Sequence, residues 1–338
     1  MSRGARRRQR QQPRTLQVFL IIVLVLLTVC VLVKAFFLKA PEQKAAELPA
    51  QPAASDTDDS QQSREEQAAQ EALRSHLERK GGFYTILLSG LDDDNGGSDT
   101  NILVAVDTVN GYVYGVSIPR DSKAIIDGKA RKINYAYNKG GTELLADTVS
   151  EQLGIPVDYT VSVNLKGFTA LVDAIGGVDF DVPINMDYDD PIQNLSIHFK
   201  KGVQHLSGAD ALRVVRFRHN NDGSGYGSED LGRMATQQKF LKAVAKKMLS
   251  AGNILTKIDD YAKIFNQYVD TNLTVGNLAW LGTEVLKMGV DKIDFSTLPN
   301  AWKYPYIYLD PTETLTLVNT YLNPYVEDRT AEDLHLPS

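Results

Sequence analysis

The stretches Asn101-Ile102-Leu103-Val104-Ala105-Val106-Asp107 and Tyr112-Val113-Tyr114-Gly115-Val116-Ser117-Ile118 are joined through Val109-Asn110-Gly111. Two apolar, β-branched runs of strand length around Asn-Gly are a strong hairpin signal. A third apolar run, Tyr84–Leu91, precedes them, and Tyr159–Asn164, Val178–Val182 and Ile293–Leu298 read as further strands. Helical periodicity alternates with these. Thr142–Leu153 is capped by Thr142 and stopped by Gly154 and Pro156, and Leu165–Ile175 carries Phe168, Leu171, Val172 and Ile175 on one stripe. Ser207–Arg216 opens on Ser207 as N-cap, and Asp230–Ser250 aligns Leu231, Met234, Leu241, Ala245 and Met248. Ile254–Asn266, Asn277–Met288 and Pro311–Leu322 complete the helices. Intermixed strands and helices predict an α/β (α+β) domain in which a central mixed β-sheet is covered by helices.

Outward from this domain, the N-terminal side of the 338-residue chain changes character. Arg3, Arg6, Arg7, Arg8, Arg10 and Arg14 precede an unbroken apolar run from Val18 to Val33. With its flanks, residues 15–38, it is long enough to span a bilayer at about 20 residues. The arginines place a tail of residues 1–14 in the cytoplasm and the rest outside the cell membrane, as a single-pass protein. A cleaved signal peptide is the alternative, but the bulky residues Val31 to Leu38 offer no small-x-small cleavage site. Residues 39–80 then read as an extracytoplasmic linker, a disordered spacer followed by a charged linker or stalk helix. The folded domain is expected over 81–330, with 331–338 as a tail.

Beyond residue 40 the chain holds 28 basic and 42 acidic residues, a net charge of −14. An acidic exported domain argues against nucleic acid as a partner. Cys30, the only cysteine, lies in the apolar span, so the domain must hold without a disulfide. His76, His198, His205, His219 and His335 show no metal-ligand spacing, and no nucleophile, Walker or zinc motif is present.

Five short polar clusters interrupt the apolar pattern. They are Ser98-Asp99-Thr100, Ile118-Pro119-Arg120-Asp121-Ser122, Lys132-Ile133-Asn134, Arg216-Phe217-Arg218, and Asp230-Leu231-Gly232-Arg233 with Gln237. Guanidinium forks match phosphate oxygens bidentately, and together with acidic groups they suggest a polyanion site that also holds a hard cation. Pro119 ends a strand and holds Arg120 at the sheet's rim, where a salt bridge to Asp121 is the bland alternative. Arg216 and Arg218 alternate around Phe217 and in extended geometry point to one side, as grips on a pyrophosphate or as ordinary surface arginines. Arg233 and Gln237 share a helix face. Taken alone, Asp92-Asp93-Asp94 reads as an exposed acidic turn, and the basic stretch Lys123–Lys132 as a solvated loop. Asn220–Ser228, rich in glycine, reads as a lid or as an idle loop.

In order and spacing these clusters resemble the LytR–CpsA–Psr family, as do Ile86–Asp92, Ala174–Val178 and Leu206–Leu212. The resemblance covers roughly Phe83 to Ser250 and, more loosely, the chain to Asp328. It implies a phosphotransferase that moves an anionic glycopolymer, such as a teichoic acid or capsular polysaccharide, from a polyprenyl-pyrophosphate carrier to peptidoglycan. It implies Asp92 and Asp99 as ligands of Mg2+, Arg120 and Asp121 as catalytic residues, and Arg120, Lys132, Arg216, Arg218, Arg233 and Gln237 on the pyrophosphate. Lys132 is singled out by this match alone. Two positions depart from the family: Gly97 and Thr236 stand where it often has Arg. A non-catalytic carrier of the lipid-linked polymer is therefore an alternative. A membrane-bound transcriptional attenuator is another, disfavoured because a 14-residue cytoplasmic tail is too short for a groove-reading motif.

Overall fold

The computed structural model describes residues 38–44, 73, 75–91, 97–192, 195–226, 229–248, 250 and 258–338. The expected tail 1–14, the span 15–38 except Leu38, and Asp92 lie outside the described residues. Among the described residues no helix is long and apolar enough to cross a membrane.

Strands β1 (Phe83–Leu91), β2 (Ser98–Asp107) and β3 (Tyr112–Ile118) open the domain, and β4 (Lys123–Ile126) and β5 (Lys129–Lys132) lead into helix α1 (Asn134–Leu153). Strand β6 (Tyr159–Asn164) feeds α2 (Leu165–Ala174). Then come β7 (Val178–Val182), β8 (Met186–Asp190), β9 (Leu195–Phe199), β10 (Gly202–Leu206) and α3 (Gly208–Arg216). Helix α4 (Glu229–Met248), α5 (Ile258–Tyr268), β11 (Val269–Thr271) and α6 (Val275–Met288) follow. Strands β12 (Ile293–Thr297), β13 (Asn300–Lys303) and β14 (Tyr306–Leu309) and helix α7 (Pro311–Leu317) close the chain.

The central sheet has the order β11-β6-β1-β2-β3-β12. The pairs β1–β2 and β2–β3 are antiparallel, whereas β6 runs parallel to β1 and β12 parallel to β3. The sheet is mixed, and its directions decide where the site lies. The C-terminal ends of β1, β3, β6 and β12 meet the start of β2 at one rim.

Both faces of the sheet are covered, so β1 is apolar on both. Phe83 and Leu87 join one core cluster with Leu103, Val116, Leu145 and Val149. Tyr84 and Ile86 join another with Ile102, Val104, Leu281 and Ile293. A third cluster lies beside the sheet, where Phe180, Ile197, Val214, Phe217, Phe240 and Val244 are buried.

Several expected elements are corrected. A first helical segment from Asn134 precedes the expected Thr142–Leu153 helix within α1, and the non-helical Gly140 and Gly141, the latter at φ +66°, separate the two. The basic stretch Lys123–Lys132 is a β-hairpin, not a solvated loop. Helix α4 carries more than one apolar stripe: Phe240 and Val244 enter the third cluster while Leu241 and Ala245 pack on the second.

Both flanks expected to lie outside the domain pack on it. Pro41 is buried. Gln43 donates to the carbonyls of Lys80 and Phe83, and Asn277 donates to the carbonyl of Lys39. At the other end, Leu336 packs against the first cluster and the amide of His335 donates to Gln152.

Candidate functional site

At the polar rim lies a pocket open to solvent. It is lined by Asp99, Thr100 and Asn101 from β2, Ser117 to Asp121 from the end of β3, Arg233, Met234 and Gln237 from α4, and Ile307 from β14. Strand β3 delivers Arg120 because Pro119 ends the ladder there. Helix α4 is pinned by Gln238, whose amide donates to Ser117 Oγ, the Ser296 carbonyl and Thr297 Oγ1 at 2.8–3.0 Å. That clamp ties the helix to the ends of β3 and β12 and sets Arg233 and Gln237 over the rim.

Two ion pairs organise the floor. Arg120 NH1 meets Asp99 Oδ1 at 2.6 Å, with the side chains 28% and 44% exposed. Lys132 Nζ meets Asp121 Oδ1 at 2.8 Å. In place of the rim bridge between Arg120 and Asp121 that stood as the alternative, Arg120 pairs with Asp99 and Asp121 with Lys132. Lys132 is not itself among the lining residues and acts on the pocket through Asp121. The amide of Asn134 donates to the Arg120 carbonyl and that of Ile133 to Ser122, which fastens the Lys132-Ile133-Asn134 turn beneath the site.

Arg216 and Arg218 do not line the pocket. Arg216 is half-buried at the end of α3, Arg218 is exposed, and Phe217 between them is fully buried against Tyr226. The predicted alternation of two arginines around an inward Phe is present, but the four arginines do not all face one cavity. Gln237 links the two regions, because its amide donates to the Val215 carbonyl at 3.0 Å.

The two departures from the family pattern have local explanations. Gly97 has φ +132°, and a Cβ there would lie 3.1 Å from Asn138 Oδ1. Thr236 is buried, donating to Gly232 and meeting the Tyr226 hydroxyl at 3.0 Å. Neither lines the pocket. The Asn220–Ser228 stretch, read as a lid or an idle loop, is bonded down where it is described: Asn220 and Asn221 accept from the amides of Asp187 and Asp189, and the amide of Asn220 donates to Ser224.

The pocket has oxygen donors suited to a hard cation. Asp99 is one. Asn101 Oδ1, two residues on in β2, is buried without a hydrogen-bond partner, as is Ser98 Oγ. Sequence reasoning missed Asn101 and Ile307. The first carried a signal, an Asn one strand repeat from Asp99; the second, distant in sequence, carried none. A second group of ligating atoms, Asp187, Asp189 and His198, lies on the exposed β8–β9 hairpin. Its carboxylates engage opposite nitrogens of one imidazole, at 2.7 and 3.2 Å, which closes the ring between them. The Ser196 hydroxyl chiefly, with His198 and Asn221, holds the Asp189 carboxyl below its usual range.

The profile of the LytR_cpsA_psr family matches residues 49–322. A curated relative, the polyisoprenyl-teichoic acid–peptidoglycan teichoic acid transferase TagV of Bacillus subtilis (strain 168), is 37% identical over 202 residues, 57% of this chain and 50% of its own length. This chain therefore spans half the length of that relative. The crystal structure of B. subtilis TagV superposes with a TM-score of 0.60 at 31% identity, covering 71% of this chain and 96% of that one. A structure of TagT bound to LI-WTA superposes at 0.57 with 25% identity, covering 72% and 91%. With most of its length matched by the profile, the chain belongs to the LytR–CpsA–Psr family.

Proposed function

We propose that the chain is a glycopolymer transferase, moving an anionic polymer of the teichoic acid type from a polyprenyl-pyrophosphate carrier to a peptidoglycan hydroxyl. One observation carries this reading: Asp99, Arg120, Asp121, Arg233 and Gln237, drawn from three separate elements, line a single pocket. Two guanidinium groups beside two carboxylates suit a pyrophosphate better than a neutral ligand. The curated relative's name places a teichoic acid and peptidoglycan among its substrates.

In this reading the acceptor oxygen attacks the phosphorus that carries the polymer. The new P–O bond forms as the bond from that phosphorus to the bridging pyrophosphate oxygen breaks, and polyprenyl phosphate leaves with the bridging oxygen. Arg120 and Arg233 hold the phosphates in line and offset their growing charge. Gln237 assists by hydrogen bond, and Arg216, Arg218 and Lys132 lend positive charge from beside the pocket. The acceptor's proton passes to a pocket carboxylate, for which Asp121, oriented by Lys132, is the candidate. Asp99 and Asp92, with Asn101 Oδ1, would hold Mg2+, which supplies charge neutralisation when bound.

The anchor at residues 15–38 belongs to the same proposal. Leu38 to Lys44 lie at the rim opposite the pocket, beside the starts of β1 and β6. At about 3.3 Å per residue, nine-residue β1 puts about 30 Å between exit point and pocket, a distance the carrier's tail has to span. Protease added to intact wall-free cells should digest the domain; protection until the membrane is opened would reverse the topology.

The transfer reading is tested by supplying the full chain in nonionic detergent with a labelled, polyprenyl-pyrophosphate-linked polymer and with peptidoglycan. The expected result is covalent label in the insoluble wall fraction with stoichiometric release of polyprenyl phosphate. Saturable donor binding with no release would make the protein a carrier.

A further inference from the structure

The β13–β14 hairpin follows the C-terminal end of β12 and so stands at the pocket rim. It is fixed there by the Ile307 amide, which donates to the Asp121 carbonyl at 2.9 Å, and by the Tyr306 hydroxyl, which donates to Ala130. Its two faces differ. On one, Tyr306 and Tyr308 meet edge to face, and Lys123 and Lys303 lie over the Tyr308 ring at 5.0 and 5.7 Å. Those aromatics are committed to internal contacts.

On the other face, Trp302 pairs directly with Ile307. Opposed residues of an antiparallel pair project to the same side, and Ile307 lines the pocket. Trp302 therefore extends the pocket wall outward. It is 59% exposed, and Tyr304 at the turn is 86% exposed. Among the described residues, no side-chain hydrogen bond or ring contact engages either one. An indole and a phenol left open beside a site are placed to bind, since such rings combine a broad apolar face with a polar edge.

We propose that this hairpin face is a sugar-stacking subsite that receives the glycan strand of the acceptor. The inference rests on the transferase reading for the identity of that strand. Two observations choose the occupant. First, Lys303, the one lysine of the hairpin, is turned to the other face together with Lys123 of β4, so the pocket-side face offers rings rather than cations. It suits the C–H faces of pyranose rings better than a phosphate-rich polymer. Second, the hairpin stands at the rim opposite Leu38–Lys44, where the chain would leave the bilayer. It faces the wall side, which sets aside a role as an interfacial membrane anchor despite its Trp, Tyr and Lys composition.

The test is a titration of the full chain in nonionic detergent with soluble, peptide-free peptidoglycan glycan strands, without donor. The chain has two tryptophans, Trp280 and Trp302, so subtracting the spectrum of Trp302→Phe isolates the Trp302 emission. That emission should shift to the blue and saturate. Calorimetry should show affinity about tenfold lower for Trp302→Ala and largely kept in Trp302→Phe, because a phenyl ring still stacks. Equal affinity in the wild type and Trp302→Ala would overturn the proposal, as would tighter binding of free poly(glycerol phosphate) than of glycan strands. Quenching of Trp302 in phosphatidylglycerol vesicles with brominated acyl chains would also overturn it, by placing the hairpin in the bilayer. Binding of strands by a chain that then proves unable to transfer polymer would leave this subsite standing and remove only the transferase reading.

Discussion

The two rims of the central sheet use charge in opposite ways. At the rim where β1 and β6 begin, Asp158 is fully buried and Arg79 is 10% exposed. The Asp158 carboxylate accepts two bonds from the Arg79 guanidinium at 2.8 and 3.0 Å and further bonds from the amides of Thr85 and Lys44. Every lone pair there is spoken for, and the pair ties the segment after the apolar span to the first strand. At the opposite rim, Arg120 and Asp99 meet in partial contact with water and with open space beside them. A buried pair with its carboxylate fully bonded is costly to disturb, whereas an exposed one contributes about 0–1 kcal/mol and can be exchanged for a ligand's charges. One rim is built to hold and the other to trade partners.

The largest expected effect falls at the closed rim. Asp158→Ala strands a buried guanidinium and should cost about 3–5 kcal/mol, seen as a fall of roughly 6–20 °C in the melting temperature. A change below 1 kcal/mol would erase the distinction between the rims. At the open rim, Asp99→Ala should change stability by no more than about 1 kcal/mol. The same variant should reduce transfer about a hundredfold, about 2.7 kcal/mol, and abolish its response to Mg2+. An unaltered metal response would remove Asp99 as a ligand. Arg120→Lys sharpens the comparison further. An ammonium keeps the charge but loses the bidentate fork, so donor affinity should fall about tenfold at unchanged melting temperature.

The smallest effect concerns the C-terminal segment. Burial raises the Asp333 pKa, but hydrogen bonds from Thr330 and His76, with the Arg329 charge, outweigh it and leave the group below its usual 3.8. A depressed carboxylate stabilises fully above its unfolded value and loses that contribution as pH falls through its folded value. Asp333→Asn should therefore cost up to about 1 kcal/mol at pH 7, where the depressed carboxylate contributes in full, and the difference from wild type should vanish as pH falls below about 4 and the group protonates. An equal loss at both pH values would mean the carboxylate acts by packing.

Most of the open rim was legible in the sequence because its residues sit at ends of strands, where composition changes abruptly. Pro119-Arg120-Asp121 after an apolar run, and the Asn110-Gly111 turn, announce a strand end and a hairpin by local chemistry. Arg233 and Gln237 are one helical turn apart and follow from periodicity. The closed rim was not legible. Asp158 and Arg79 lie far apart in sequence, and nothing near either predicts a buried pair. Residues 39–44 read as a spacer because their composition is polar, yet backbone carbonyls and one buried proline attach them to the domain. The short strands β8, β9, β13 and β14 were missed where charged and aromatic residues blur the alternation. Ile307 and Trp302 reach the site only through tertiary pairing. The expectation that four arginines converge failed for Arg216 and Arg218, since local alternation fixes which side a residue faces but not what stands opposite.

The claim that the open rim holds one pyrophosphate is tested most directly by titrating the full chain with polyprenyl pyrophosphate. Arg120→Ala and Arg233→Ala are compared with Arg213→Ala, an exposed arginine paired with Asp210 three residues away. Each pocket substitution should weaken binding ten- to a hundredfold, in line with about 1.5–3 kcal/mol per charge-assisted contact, and Arg213→Ala should leave it unchanged. Equal affinities for all three variants would contradict the account.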